Sequence, residues 1–146
     1  MSLDLRAPNL TAAQVRAALN LAPHPEGGHY RELWRDLPET DGARGAATSI
    51  LFLLAAGERS HWHRVDAAEL WLWQGGAALE LGIGTRTVRL GPDLTAGDSL
   101  QAVVPAGIWQ AARPLGGWVL VGCVVAPAFR FEGFELAPPG WSPHGG

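Results

Sequence analysis

One helical pattern followed by a long succession of short, turn-punctuated apolar segments constrains this chain more than any other feature. "LTAAQVRAALNL" (10–21) places Val15, Ala18 and Leu19 at helical spacing behind Thr11 and Gln14, a capping-box pair. Pro23 and Pro25 forbid its continuation. From His29 onward the period becomes two. "HYRELWRD" (29–36) sets Tyr30, Glu32 and Trp34 on one face. "ATSILFLLAAG" (47–57) is a continuous apolar run of strand length, predicted to be buried on both faces. "SHWHRV", "AELWLWQ", "ALELGIG", "TRTVRLG", "SLQAVVP", "IWQAARP" and "GWVLVGCVVAP" follow. Turns are expected at Gly75-Gly76, Gly91-Pro92, Ala96-Gly97, Pro105-Ala106-Gly107 and Gly116-Gly117. The tail "FRFEGFELAPPGW" (129–141) reads as a last edge strand. Roughly nine or ten short strands after one short helix predict an all-β sandwich or barrel.

Composition narrows the function classes. The net charge is −3, and no stripe of Lys and Arg is interleaved with aromatics, so nucleic acid is not an expected partner. Cys123 is the single cysteine, which excludes an internal disulfide and a cysteine-built zinc site. No apolar run reaches the ~20 residues of a membrane helix, and "MSLDLRAPNL" lacks the apolar core of a signal peptide. A soluble cytoplasmic protein without membrane partners is the expectation. No P-loop, dinucleotide fingerprint or Gly-x-Ser-x-Gly elbow is present. The 146 residues fit one domain, with 1–22 a helical extension and 26–136 the β-structure.

The chemistry concentrates in "GERSHWHRVDAAELWLWQGG" (57–76). His61 and His63, two apart on a strand, are expected to project from one face. If residues 64–68 form a hairpin turn, Glu69 on the partner strand joins them. Two imidazoles and a carboxylate suit Zn, Fe, Mn or Ni. They equally suit a hydrogen-bonded cluster at a wet strand edge. Trp71, Trp73, Trp109 and Trp118 supply apolar surface for a surrounding wall. "HPEGGHYRE" (24–32) is a second candidate, with Gly27-Gly28 permitting a sharp turn and Glu26, Tyr30 and Glu32 available as polar groups. Cys123, in an apolar strand with nothing basic nearby, reads as a small hydrophobe.

Gly57, His61-x-His63, Glu69 and Gly75, followed by "GDSLQAVVPAGIWQ" (97–110), resemble the two motifs of the cupin superfamily. The likeness is nearest to its fifth group, through "HPEGGHYRE", "HRVDAAELW", "VPAGIWQAA" and "LVGCVVAPAFRFEGFEL". The resemblance implies a cupin double-stranded β-helix, or jelly roll, with one short N-terminal helix. It departs from the general cupin pattern where a third histidine is expected, since Gln110 stands there. The resemblance implies a metal set of His63, Glu69 and Gln110, with His61 as an addition. One divalent ion and no cofactor both remain open.

Three function classes follow. The first is an isomerase, epimerase or hydrolase acting on a polar metabolite such as a sugar derivative, with or without metal assistance. In it His63, Glu69 and Tyr30 are the expected catalytic groups, and Glu26, Trp71, Trp73 and Gln110 the ligand-binding ones. The second is a ligand-binding or sensing protein without turnover. The third is a structural role, compatible with either of the others; in every case a homodimer is expected, formed through the N-terminal strand region and the apolar strand at 46–56.

Overall fold

The computed structural model describes residues 3–145. One helix, α1 (Ala12–Leu19), precedes nine strands: β1 (Ala22–Pro23), β2 (His29–Arg35), β3 (Thr48–Leu54), β4 (Ser60–Val65), β5 (Ala68–Ile83), β6 (Arg86–Leu90), β7 (Gln101–Val104), β8 (Gln110–Ala126) and β9 (Phe134–Leu136). All strand pairs are antiparallel. The fold is the all-β jelly roll with one short helix that the resemblance implied. Among the described residues no helix is long and apolar enough to cross a membrane.

The helix begins as its sequence dictates. Thr11 accepts from the Gln14 backbone N–H, and the Gln14 side chain accepts from the Thr11 N–H. It stops at Asn20, whose left-handed φ of 56° turns the chain before either proline is reached. So short a helix is marginal alone. Here Leu10 and Val15 pack on Leu53 and Leu120, and the Trp118 indole N–H donates to Leu10 O at 2.7 Å.

That packing explains the continuous apolar run of β3. Phe52 and Leu54 enter the barrel core, whereas Leu51 and Leu53 turn outward beneath the helix. The expected dimer surface at 46–56 is therefore covered. β3 lies between β2 and β8, with one face inside the barrel and the other under α1.

β5 and β8 are where the expected turns fail. Gly75-Gly76 and Gly116-Gly117 do not end strands. β5 and β8 run through these points and pair from Ala68↔Ala126 to Ile83↔Gln110, with register shifts near the glycines. Gly76 has φ +85°, and a Cβ there would strike the carbonyl oxygen and ring of Trp118. The glycine lets two long strands bend and stay paired. One half of the ladder is flanked by β7 and β3, the other by β6 and β4.

Side chains fill the barrel in layers. Phe52, Leu54, Trp71, Leu79, Leu81, Ile83, Val119 and Val121 pack one end solid. Toward the other end the same inward rows continue as Thr48 and Ile50 on β3, Glu69 on β5, and Cys123 and Val125 on β8, and these line a cavity.

Candidate functional site

The cavity measures about 290 Å³. His24, Glu26, Tyr30, Glu32, Arg35, His63, Glu69 and Cys123 line it together with Ile50, Val65, Val125 and three phenylalanines, Phe129, Phe131 and Phe134.

Glu26 is positioned by the turn that precedes β2. His24 N–H donates to Gly28 O, and Gly27 N–H to His24 O, both at 3.0 Å. Gly27 has φ +109°, and a Cβ there would strike the Arg59 carbonyl, so the turn lies directly on the start of β4. His61 N–H donates to Glu26 O at 2.8 Å and locks the two segments together. The result is a short polar contact between Glu26 Oε2 and His63 Nε2 at 3.0 Å, with both side chains buried.

The His63 tautomer follows from its other nitrogen. Nδ1 lies 2.7 Å from the His61 carbonyl oxygen, which only accepts, so Nδ1 carries a proton. Nε2 and the Glu26 carboxyl therefore share a single further proton. Burial pushes the imidazole down, although the Glu69 charge and the His61 carbonyl oppose this. Burial pushes Glu26 up to about 8. The proton thus rests on Glu26, which donates to a neutral His63. His24 is neutral as well. Its Nδ1 accepts from the Glu26 backbone N–H at 3.1 Å, and burial, with His63 second, lowers it to about 4.

Glu69 reaches the cavity by a different route from the expected one. β4 and β5 do not pair: β4 lies against β8 and β9, while Glu69 sits between Val104 of β7 and Val125 of β8. His63 and Glu69 line one cavity from strands that are not hydrogen-bonded to each other. Gln110 Nε2 donates to Glu69 Oε1 at 2.9 Å, and the Cys123 thiol also donates to this carboxyl. Burial raises Glu69 to about 7. The hydrogen bonds from Gln110 and Cys123 oppose that shift.

Several expected site residues lie elsewhere. His61 and His63 do not share a face. Ser60 pairs with Ala112 and His63 with Gln110, so β4 carries one extra residue there, and this bulge reverses the parity. His61 Nε2 instead contacts the Pro138 carbonyl oxygen at 3.0 Å on the outside of the barrel. Gln110 is buried beneath the cavity floor and does not line it. Its Oε1 accepts from the Trp71 indole N–H at 2.7 Å, so its amino group is what faces Glu69. Trp71 is fully buried in the core layer under the floor, and Trp73 donates to Ala77 O away from the cavity. Trp109 packs against Trp141 with the rings tilted by 50°, and Arg64 lies over the Trp109 ring. Trp34 misses the cavity because β2 carries its own bulge at Leu33, which turns Arg35 inward and leaves Trp34 exposed.

This arrangement does not fit a divalent metal. Among the described residues no group of three or more His, Cys, Asp or Glu side chains is placed to hold an ion. Of the expected ligands, His61 faces away, Gln110 presents an N–H donor, and both His63 nitrogens are engaged.

Sequence reasoning missed His24 and the three phenylalanines. His24 lies inside the "HPEGGHYRE" stretch, and the alternating aromatics of 129–134 carry no sign that they fold back over the barrel mouth. There Phe129 and Phe134 lie edge to face at 5.9 Å, and Phe134 approaches His63 at 5.6 Å between ring centroids.

A family model described as Cupin superfamily (DUF985) matches residues 13–137. No curated protein matches the chain significantly. Among solved structures, protein SO0799 from Shewanella oneidensis is 38% identical, with 88% of this chain and 85% of that one aligned at a TM-score of 0.82. A hypothetical protein from Leishmania major is 30% identical, with 88% of each chain aligned at 0.79. Bacillus subtilis oxalate decarboxylase is 15% identical over 78% of this chain and 29% of its own, at 0.60, a likeness of fold alone. The chain belongs to the cupin superfamily, within the group described as DUF985.

Proposed function

We propose that this protein is a small-molecule enzyme that moves a proton on a polar metabolite, of isomerase, epimerase or hydrolase type, with a sugar derivative as the representative substrate. One observation carries the reading: Glu26 Oε2 and His63 Nε2, both buried, lie 3.0 Å apart in a cavity that also holds the buried carboxyl of Glu69. Two carboxyls raised to about 8 and about 7 sit where both protonation states are populated near neutral pH, as general acid–base work requires. In this reading Glu69 as carboxylate accepts a substrate proton. Glu26 returns one from the other side, with His63 holding its orientation. Tyr30, on the cavity wall, donates a hydrogen bond to a substrate oxygen.

The test is solvent exchange. Candidate metabolites incubated with the protein in D₂O should lose proton NMR signal at one carbon. Glu26→Gln and Glu69→Gln should each abolish the loss. A second reading, ligand binding without turnover, draws on Cys123, the thiol in this cavity, which burial pushes well above its usual range and leaves unreactive as a nucleophile. Metabolites that bind and are neither exchanged nor hydrolysed would favour it. We further propose that two copies pair through the β2 side of the barrel, where Leu33, Trp34 and Leu37 are exposed. A monomer mass by light scattering at micromolar concentration would rule this out.

A further inference from the structure

The charge balance of the cavity lining bears on what it accepts. Of the three carboxyls that line it, Glu26 holds the proton between itself and His63 and Glu32 is paired with the one guanidinium, Arg35, which leaves Glu69 as the acid free to meet an incoming charge. That guanidinium is already committed. Its Nη2 and Nε donate to Glu32 at 2.7 and 3.3 Å, and its Nη1 donates to Phe129 O at 2.7 Å. The two imidazoles offer no positive charge either. His24 Nδ1 accepts a backbone N–H, and His63 shares its one additional proton with Glu26. A phosphate or carboxylate entering here would be desolvated against acids with no free cation to meet it.

The mouth has the opposite character. Phe129 and Phe131 centroids lie 5.0 Å apart, Phe131 and Phe134 6.1 Å, and Tyr30 continues the aromatic wall to His24 at 4.4 Å. Phe131 is 56% exposed although it is apolar, and it borders the opening. Aromatic walls attract a cation held within about 6 Å of a ring, most strongly when it is desolvated. Aromatic walls around a floor rich in carboxyls and lacking a free cation match the chemistry of an organic ammonium group. At roughly 30 Å³ per water-sized volume, the cavity admits about ten non-hydrogen atoms.

We infer that the ligand of this cavity is a small organic cation, an amine-bearing or alkylammonium metabolite, with its charged end between the phenylalanines and the carboxyls. This deepens the acid–base reading and rests on it for the identity of the site. It sets aside phosphorylated sugars and sugar nucleotides as substrates.

The probe is choline, compared by calorimetry with dimethylbutanol, its uncharged carbon isostere, and with acetate. Choline should bind at least about tenfold more tightly than the isostere, and acetate should not compete with it. Phe131→Leu keeps an apolar side chain at an exposed rim position, so the variant should fold. It should weaken choline severalfold and leave the isostere unchanged. Equal binding of choline and its isostere, competition by acetate, an unchanged ratio in Phe131→Leu, or no binding of choline would each overturn the cationic class. Solvent exchange on an uncharged metabolite, with choline excluded, would refute this inference alone. Choline bound as expected, with no exchange on any amine, would refute the acid–base reading alone.

Discussion

Replacing Glu26 by glutamine probes the proton arrangement directly. Glutamine has nearly the shape of a protonated glutamate and still donates an N–H to His63 Nε2, so the contact seen at 3.0 Å survives. What is lost is the carboxyl's titration. Glu26 moves from its usual 4.5 to about 8 on folding, so between those values the folded state binds a proton that the unfolded chain has released. Its contribution is present in full below pH 4.5 and is lost as pH rises through about 8. Each pH unit in the window is worth about 1.4 kcal/mol, so the span from pH 5 to 8 is on the order of 4 kcal/mol. For a chain of this size that is roughly 10 °C in melting temperature. Urea unfolding at pH 5, 6, 7 and 8 should therefore show the variant overtaking the wild type as pH rises. The difference should change by about one proton's worth per unit. Parallel curves would refute the reasoning, because they would mean that folding adds no proton at Glu26 over this range. A wild type that gains on the variant with rising pH would refute it more strongly.

Three further outcomes follow from the same geometry. Gln110→Leu strands the Trp71 indole N–H and removes a donor from Glu69, and should cost about 1–3 kcal/mol in urea unfolding. Gly76→Ala adds a Cβ against Trp118 at a left-handed φ, and should destabilise by at least about 2 kcal/mol, read as a drop in melting temperature. The Cys123 thiol, buried and raised by desolvation with Glu69 and Glu26 adding to the effect, should resist a thiol reagent at pH 8 until denaturant is added.

The sequence announced the helix, the strand-rich barrel and the identities of most polar groups around the cavity. Thr11 and Gln14 are local signals, and local signals survive folding. What it hid were displacements of a single residue. The bulge before His63 and the one at Leu33 each reverse the inward row, so parity placed His61 inside and Arg35 outside. Glycine pairs suggest turns because turns commonly need them, yet here they bend a strand that stays paired. The convergence of Glu69 with His63 was foreseen by way of a hairpin that does not exist. The true route passes through β8, distant in sequence from both. Phe129, Phe131 and Phe134 reach the mouth only because the chain after β8 folds back beside β4, a placement that no periodicity encodes.

Because β5 and β8 belong to both halves of the barrel, the halves cannot swing apart without breaking the ladder from Ala68↔Ala126 to Ile83↔Gln110. The interior is a vessel of fixed capacity. At its rim a three-residue helical turn, Phe131–Gly133, and the three-residue β9 hold the aromatic lip. Amide exchange in the long strands should then need global unfolding, while the lip opens on its own. For a ligand of the proposed kind, residence time would then depend on Phe129, Phe131 and Phe134, separable by mutation from Glu26 and Glu69.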